Sequence, residues 1–224
     1  MERHFHQDLE ALRDRLSDMA GRTETALVKA MEALRARSAD LAEEVFQEDL
    51  AIDRIELEIE GSCLNFLGLQ QPVARDLRFL VASIRISNDL ERIGDHAVNI
   101  AQSAIKVSRL QHVKPLQDIP LMAERTISML RESVTAWLIG DAVVARRICE
   151  RDVEIDGLKA KIFAKLSGMM VQEPDMVPWA LELLLVSRNL ERVADLSTNL
   201  AEEAIFVAEA RVIKHHAEEA SGAP

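Results

Sequence analysis

The sequence contains no tyrosine, and aromatic residues make up only 4% of its 224 residues. Glycine occurs eight times and proline six times. Because β-sandwiches and β-barrels are rich in aromatic and β-branched residues and need frequent glycine and proline turns, this composition argues against an all-β fold. Hydrophobic residues nevertheless account for 48% of the chain, which is enough to build a folded core.

Positive charge is also scarce, since 27 Lys and Arg residues face 38 Asp and Glu residues for a formal net charge of −11. An acidic chain without a basic cluster is poorly suited to bind nucleic acid or an anionic membrane surface. The longest uncharged stretch, 61–74, is too short and too polar to cross a bilayer. We therefore expect no nucleic-acid partner, and membrane contact only through other proteins.

Cysteine usage and the first residues of the chain predict its compartment. Cys63 and Cys149 are far apart and match no metal-binding spacing, which is typical of a reduced compartment. The sequence begins with a segment that is charged throughout, unlike an export signal. The prediction is a cytoplasmic protein.

Apolar residues recur at three- and four-residue spacing in the long windows between the prolines, which is helical periodicity. The pattern predicts an all-α fold with six helices, at 3–36, 39–68, 74–109, 116–138, 142–169 and 176–212. Because short connections between long amphipathic helices imply antiparallel neighbours, each half is predicted to be a three-helix bundle. The first bundle is assigned to residues 1–112 and the second to 113–213, with a frayed tail at 214–224.

The two halves are related by an internal duplication. Segment 87–101, SNDLERIGDHAVNIA, aligns without gaps on segment 187–201, SRNLERVADLSTNLA, and seven of the 15 positions are identical. Segment 49–56, DLAIDRIE, aligns on 152–159, DVEIDGLK, at an offset of 103. The same offset places Ser38 opposite Asp141, and both are favoured N-cap residues. The sequence therefore predicts two pseudo-symmetric tandem copies of one unit.

The duplicated segments preserve acidic side chains rather than only apolar ones. Carboxylates four residues apart stay on one stripe of a helix, beside its apolar face. If the second and third helices of each half pack antiparallel, their stripes face each other across a groove. The first carboxylate set is Asp49, Asp53, Glu91 and Asp95. The second carboxylate set is Asp152, Asp156, Glu191 and Asp195.

Four facing carboxylates repel one another unless a cation neutralises them or their pKa values rise. All-oxygen sites suit Mg²⁺, Ca²⁺, Mn²⁺ or iron, and zinc is disfavoured because no Cys and no duplicated His accompanies them. The alternative is a solvated acidic face paired with Arg92 and Arg192. The acidic stripe of the second helix continues as Glu56 and Glu60 in the first half, but as Lys159 and Phe163 in the second.

Catalytic motifs are missing from the sequence. It has no GxSxG, no glycine-rich phosphate loop and no HExxH. A di-iron carboxylate oxidase needs Glu-x-x-His on two helices, and no Glu in this chain has a His three residues on. We therefore predict a protein that is not an enzyme, with no catalytic residues and no organic cofactor site.

Segments 75–101, which contains LERIGDHAVNIA, and 189–205, NLERVADLSTNLAEEAI, resemble the two signature helices of the PhoU family. The resemblance extends over nearly the whole chain. The second copy departs from the family pattern, because Leu196 stands where the family usually has a His after the Asp.

The resemblance implies a cytoplasmic, commonly homodimeric helical protein that acts as a negative regulator of phosphate uptake and of the phosphate-starvation response. It implies an adapter between the ATPase of a phosphate ABC transporter and a two-component sensor histidine kinase. It also implies metal (Fe, Mn or Mg) at paired E(D)xxxD motifs, which correspond here to the two carboxylate sets. Two other hypotheses remain open, namely a metal buffer or metal-dependent enzyme built on the same carboxylates, and a PhoU-like adapter of another transport system.

Overall fold

The computed structural model describes residues 2–70, 72, 74–114 and 117–211. The helices are α1 (Glu2–Ala36), α2 (Ala39–Gln70), α3 (Ala74–Ser108), α4 (Asp118–Ile139), α5 (Ala142–Glu150), α6 (Asp152–Gln172) and α7 (Val177–Glu209), and a 3₁₀ turn at Pro174–Met176 precedes α7. The described residues contain no strand, so the all-α prediction is confirmed. Within them, no helix combines the length and the apolar character needed to cross a bilayer. The predicted tail, 214–224, and the last predicted helical residue, 212, lie outside the described residues.

The predicted fifth helix, 142–169, is interrupted at Arg151, which separates α5 from α6. Arg151 keeps right-handed helical dihedrals (φ −81°, ψ −12°), and the bonds Arg151 N–H to Ile148 O and Glu154 N–H to Arg151 O both span three residues. The interruption is therefore a local tightening of the helix, of the kind that three-residue hydrogen bonds produce. The two segments pack on the same neighbours, α4 and α7, so the six-element architecture is preserved.

The helix starts predicted for the second element of each half are confirmed. The Asp141 carboxylate accepts hydrogen bonds from the Val143 and Val144 amides, each at 3.0 Å, and Ser38 Oγ accepts one from the Leu41 amide at 3.3 Å. These bonds satisfy amides that have no partner inside the helix. Gly140, at φ +73°, ends α4 in the left-handed conformation that glycine adopts without steric cost.

Each half is a three-helix bundle, with α1, α2 and α3 in the first and α4, α5–α6 and α7 in the second. Two equivalent hydrogen bonds show the duplication in three dimensions. Thr23 Oγ1 donates to Leu90 O at 3.4 Å, and Thr126 Oγ1 donates to Leu190 O at 3.5 Å. Because Thr126 follows Thr23 by 103 positions, the repeat extends to the first helix of each half.

The halves join mainly through α3 and α7, which run antiparallel. Three of the polar contacts across this seam show the direction of the helices, because the residue number of the α7 partner falls as that of the α3 residue rises. They are Arg85 with Glu203 at 3.0 Å, His96 with Asn189 at 2.9 Å, and Lys106 with Glu182 at 3.2 Å. Between them lies an aliphatic core that includes Leu90, Ile93, Leu190 and Val193, all 1% exposed or less. The outer helices α2 and α6 leave one long face each to solvent.

Candidate functional site

The first carboxylate set is brought together by the packing of α2 on α3. Burial raises the pKa of Asp49 to about 6, with further repulsion from Asp53 and Asp95. Burial also raises the pKa of Glu91, and the Asp95, Asp53, Glu56 and Asp49 carboxylates raise it further. Because carboxylates on each helix raise the pKa of a carboxyl group on the other, the predicted juxtaposition of the two stripes is present in the fold.

Glu56 also belongs to the first-half cluster. Burial raises the pKa of Glu56, and the Glu60 and Asp53 carboxylates raise it further. The continuation of the acidic stripe along α2 was the sequence signal for it. The cluster at the α2–α3 groove is therefore more acidic than four residues alone would make it.

Asp49 lies at the bottom of this groove. Its Oδ1 atom is buried and accepts no hydrogen bond from the described residues. A Cβ placed on Gly94 would lie 2.9 Å from that oxygen and 3.4 Å from Ile52 Cδ1, so the glycine of α3 provides the space in which the carboxylate sits. A buried carboxylate oxygen without a donor carries a large desolvation cost, which a bound cation would relieve.

The second carboxylate set is also assembled, between α6 and α7. Burial raises the pKa of Asp152 to about 6, and the Asp195, Asp156 and Glu191 carboxylates add to the increase. Burial and Glu191 likewise raise the pKa of Asp195, while Arg192 opposes that increase. The structure therefore brings together all four residues predicted from the sequence in this half.

The two sets differ in the cations that the chain itself supplies. In the second, Lys159 Nζ lies 2.6 Å from Glu191 Oε1, and an Arg192 guanidinium nitrogen lies 2.9 Å from Asp195 Oδ2. In the first, Arg92 turns instead to Asp89, at 3.3 Å. Across the described ranges, no Lys or Arg forms an ion pair with Asp49, Asp53, Glu91 or Asp95. The sequence alternative of an arginine-paired face therefore holds for Arg192 and fails for Arg92.

Two smaller differences accompany this change of charge. Ala194 occupies the position of Gly94, so the second groove has a side-chain methyl group where the first groove has none. Glu191 keeps one buried oxygen, Oε2, without a hydrogen-bond donor, although its other oxygen is paired with Lys159. The second set is thus partly neutralised and partly filled by its own side chains.

The chemistry of the first set fits a hard cation that takes oxygen ligands. The unpartnered Asp49 oxygen, the space beside Gly94 and the absence of His and Cys from the cluster favour magnesium, manganese or iron over zinc. In the parts of the chain that the structure describes, no three His, Cys, Asp or Glu side chains are already arranged as a ligand set. A shared ion would therefore require these carboxylates to turn toward it, and Asp95 is exposed on the rim of the groove.

His96, the residue after Asp95, does not belong to this cluster. Its Nδ1 lies 2.9 Å from Asn189 Oδ1 on α7, so its ring is engaged in the seam between the halves. The imidazole is therefore not arranged as a ligand beside the carboxylates. The two halves differ at this position, because the counterpart of His96 in the second half is Leu196, a buried apolar residue.

A separate cavity of about 570 Å³ lies where α1, α3, α4 and α7 meet. Its lining is mostly aliphatic and includes Met31, Val107 and Ile119. The charged residues Arg35 and Lys114 also line it. It shares no residue with either carboxylate set. The acidic grooves and this cavity are therefore distinct features of the molecule.

Comparison with known proteins supports one family. Residues 16–104 and 119–204 each match the family model of the PhoU domain. The chain is 34% identical to the phosphate-specific transport system accessory protein PhoU homolog of Zymomonas mobilis, over 91% of this chain and 86% of that protein. It is 36% identical to the homolog of the same name from Aquifex aeolicus, over 93% of this chain and 95% of that one.

Solved structures agree with the sequence matches. The crystal structure of PhoU from Pseudomonas aeruginosa superposes with a TM-score of 0.89 at 28% identity, over 92% of this chain and all of that one. The phosphate transport system regulatory protein PhoU from Streptococcus pneumoniae superposes with a TM-score of 0.88 at 25% identity, over 94% of this chain and all of that one. With two matching domains and relatives above 30% identity along almost its full length, the chain belongs to the PhoU family.

Proposed function

We propose that this chain is a cytoplasmic, non-enzymatic negative regulator of phosphate uptake and of the phosphate-starvation response. It acts as an adapter between the ATPase of a phosphate ABC transporter and a two-component sensor histidine kinase. The relatives' names, which describe accessory and regulatory proteins of phosphate transport, support the setting of this role. The observation that carries the proposal is the duplicated acidic face, which presents negative charge to a partner.

Metal binding is part of the proposal and is assigned mainly to the first half. Asp49, Asp53, Glu91 and Asp95 would hold a magnesium, manganese or iron ion, which would supply positive charge between α2 and α3. The unpartnered Asp49 oxygen and the missing ion pairs support this assignment. The second set, Asp152, Asp156, Glu191 and Asp195, binds metal more weakly because Lys159 and Arg192 already supply positive charge there.

The experiment is a phosphate-regulon reporter in a strain that lacks this gene, grown at high phosphate. Wild-type complementation is expected to restore repression, and the double charge reversal Glu91→Lys/Asp95→Lys is expected to leave the reporter on. The matched control is Glu10→Lys/Asp14→Lys, which reverses an exposed acidic i, i+4 pair on α1. Circular dichroism and thermal melts establish that both variants are folded.

Each outcome has a clear meaning. Repression by the wild type and the control but not by the groove variant supports the regulator and locates its function at the acidic face. Repression by a folded groove variant contradicts that location. A reporter that stays silent in the deletion strain contradicts the phosphate role, which leaves a metal buffer or an adapter of another transport system.

A further inference from the structure

The outward face of α2 carries three leucines at seven-residue intervals. Leu50, Leu57 and Leu64, here called the leucine ridge, are 58%, 66% and 56% exposed. Positions seven apart drift by only about 20° around a helix, so the three side chains form one line. Exposed leucines scattered singly over a surface are ordinary, whereas an aligned apolar row on one helix is typical of a contact surface.

Two glycines lie on the same line. Gly61 and Gly68 each follow a ridge leucine by four residues, which places them on the same face of α2. A Cβ at either position would meet no atom within 4 Å, so no close packing inside the chain requires a glycine there. Since glycine in a helix interior costs about 1 kcal/mol relative to alanine, these positions have no explanation within one copy of the fold.

The equivalent face of α6 contains smaller side chains along the same line, although Phe163 beside that line is 60% exposed. Leu50 and Leu57 correspond, at the offset of 103, to Val153 and Ala160. The small-residue face consists of the following exposed residues at helical spacing: Val153, Gly157, Ala160, Ala164 and Val171. A Cβ at Gly157 would also meet no atom within 4 Å. The duplication has therefore produced an apolar ridge on one outer helix and a shallow apolar surface on the other.

The charges around the later turns of α6 are opposite in sign to those of α2, whereas the first turns of α6 contain Asp152, Glu154 and Asp156. Helix α2 contains nine acidic residues and one basic residue, Arg54. The part of α6 from residue 159 onward contains three lysines and no acidic residue. Lys161 and Lys165 pair with Asp118, yet their side chains remain 62% and 50% exposed. An α2–α2 contact would oppose two strongly acidic surfaces, whereas an α2–α6 contact joins opposite charges.

We propose that the leucine ridge of one copy packs on the small-residue face of α6 in a second copy of this chain. Large side chains interdigitate with small ones at the opposing positions, and the lysines of α6 lie against the acidic flanks of α2. From Leu50 to Leu64 the ridge spans about 21 Å of helix, or four turns. The contact uses neither carboxylate set, so it stands or fails independently of the proposed regulatory function.

The decisive experiment is pairwise cross-linking with a short bis-maleimide. The variants Leu57→Cys and Ala160→Cys alter exposed side chains on different helices, so neither change threatens the core. They are purified separately, treated alone, and treated after mixing and subunit exchange. The wild type is the background control, because burial raises the pKa of the Cys63 and Cys149 thiols to about 12 and 11.

A covalent dimer that forms only in the mixture supports the proposed contact. A dimer formed by Leu57→Cys alone would show that α2 pairs with α2, which overturns the proposal. Cross-linking in none of the samples would also overturn it, and the ridge would then belong to a contact with a different protein.

Sedimentation equilibrium supplies a second measurement. Leu57→Glu is expected to raise the dimer dissociation constant about tenfold or more, since it places a charge in the middle of an apolar contact. Leu69→Glu is the matched control, because Leu69 is 83% exposed on the same helix but lies off the ridge. An equal effect of both variants, or no effect of either, would contradict the assignment of the ridge.

Discussion

Lys159 Nζ lies 2.6 Å from Glu191 Oε1, whereas the equivalent position in the first half places the carboxylate of Glu56 beside Glu91. One residue of the duplicated unit has therefore changed sign. In the second half the chain contains its own counter-ion, while in the first half every group added to the cluster is another acid. The two grooves share a backbone arrangement, but the second is less acidic toward a cation than the first.

Glu56→Lys should make the first groove resemble the second. A lysine at this position is expected to pair with Glu91 and to lower the affinity of the first carboxylate set for Mn²⁺ about tenfold or more, because it adds a positive charge beside the ion. Isothermal titration calorimetry on protein stripped of metal measures the change. Glu58→Lys, an exposed substitution of the same charge on α2, is the control and should have a smaller effect.

Lys159→Glu is the reciprocal change in the second groove. Removal of the Lys159–Glu191 ion pair and addition of an acid are expected to lower the stability of the metal-free protein and to increase Mn²⁺ binding to the second set. The same titration should show a gain in bound metal, and thermal melts should show recovery of stability on addition of Mn²⁺. Loss of stability without any gain in metal binding would contradict the view that Lys159 replaces a cation.

Gly94→Ala tests the space beside Asp49. The added Cβ would lie 2.9 Å from Asp49 Oδ1, and a side-chain carboxylate can rotate away from it. We expect the free energy of unfolding to change by less than about 1 kcal/mol, since the better helix propensity of alanine offsets the crowding. Metal affinity of the first set should fall about tenfold, because the added methyl group would displace Asp49, the proposed innermost ligand.

The control for this change is Ala194→Gly at the equivalent position of the second half. It should cost roughly 1 kcal/mol of stability through helix propensity and leave metal binding by the first set unchanged. Unchanged affinity in a folded Gly94→Ala variant would mean that Asp49 is not a ligand.

Much of this architecture is predictable from the sequence because the duplication preserves what determines it. The alignment of 87–101 on 187–201 identifies the two central helices. Ser38 and Asp141 identify equivalent helix starts, and the hydrogen bonds that their side chains accept from backbone amides confirm these starts. The acidic stripes are predictable because carboxylates at four-residue spacing must share one side of a helix.

The remaining features depend on packing that a periodic pattern does not contain. The interruption at Arg151 involves three-residue hydrogen bonds in a segment whose apolar spacing is continuous. Arg92 and Arg192 occupy equivalent positions, yet Arg92 pairs with Asp89 and Arg192 pairs with Asp195. The partners differ because the second half has Asn189 at the position of Asp89. Gly94 lies beside Asp49 because α2 and α3 pack closely at this point. The sequence shows a glycine in the interior of a helix, but it does not show which side chain lies against it.

The pair His96 and Asn189 should contribute to holding the halves together. Their side chains are 2.9 Å apart across the α3–α7 seam, in a partly buried position. A double-mutant cycle with His96→Leu and Asn189→Ala, measured by urea denaturation, should give a coupling energy of about 0.5 to 1.5 kcal/mol. A coupling indistinguishable from that of the exposed Glu32–Arg35 pair on α1 would show that this hydrogen bond is replaced by water.

Asp49→Asn should stabilise the metal-free protein, and more so at neutral than at acidic pH. The pKa of Asp49 rises from 3.8 to about 6 on folding, so the folded state holds this proton more tightly than the unfolded state does. Its contribution to stability is therefore most favourable below about pH 4 and is lost as the pH rises through about 6. Above that range the folded protein contains a partly buried charge that asparagine does not have.

Urea denaturation in the presence of EDTA, at about pH 4 and about pH 7.5, measures this difference. The gain in unfolding free energy from Asp49→Asn over the wild type should be larger at the higher pH. Glu10→Gln, which removes an exposed carboxylate from α1, should show little change between the two conditions. Added Mn²⁺ should reverse the order at neutral pH, since the wild type would then gain a ligand interaction that the variant has weakened. Equal gains at both pH values would show that Asp49 is ionised as readily in the fold as in the unfolded chain.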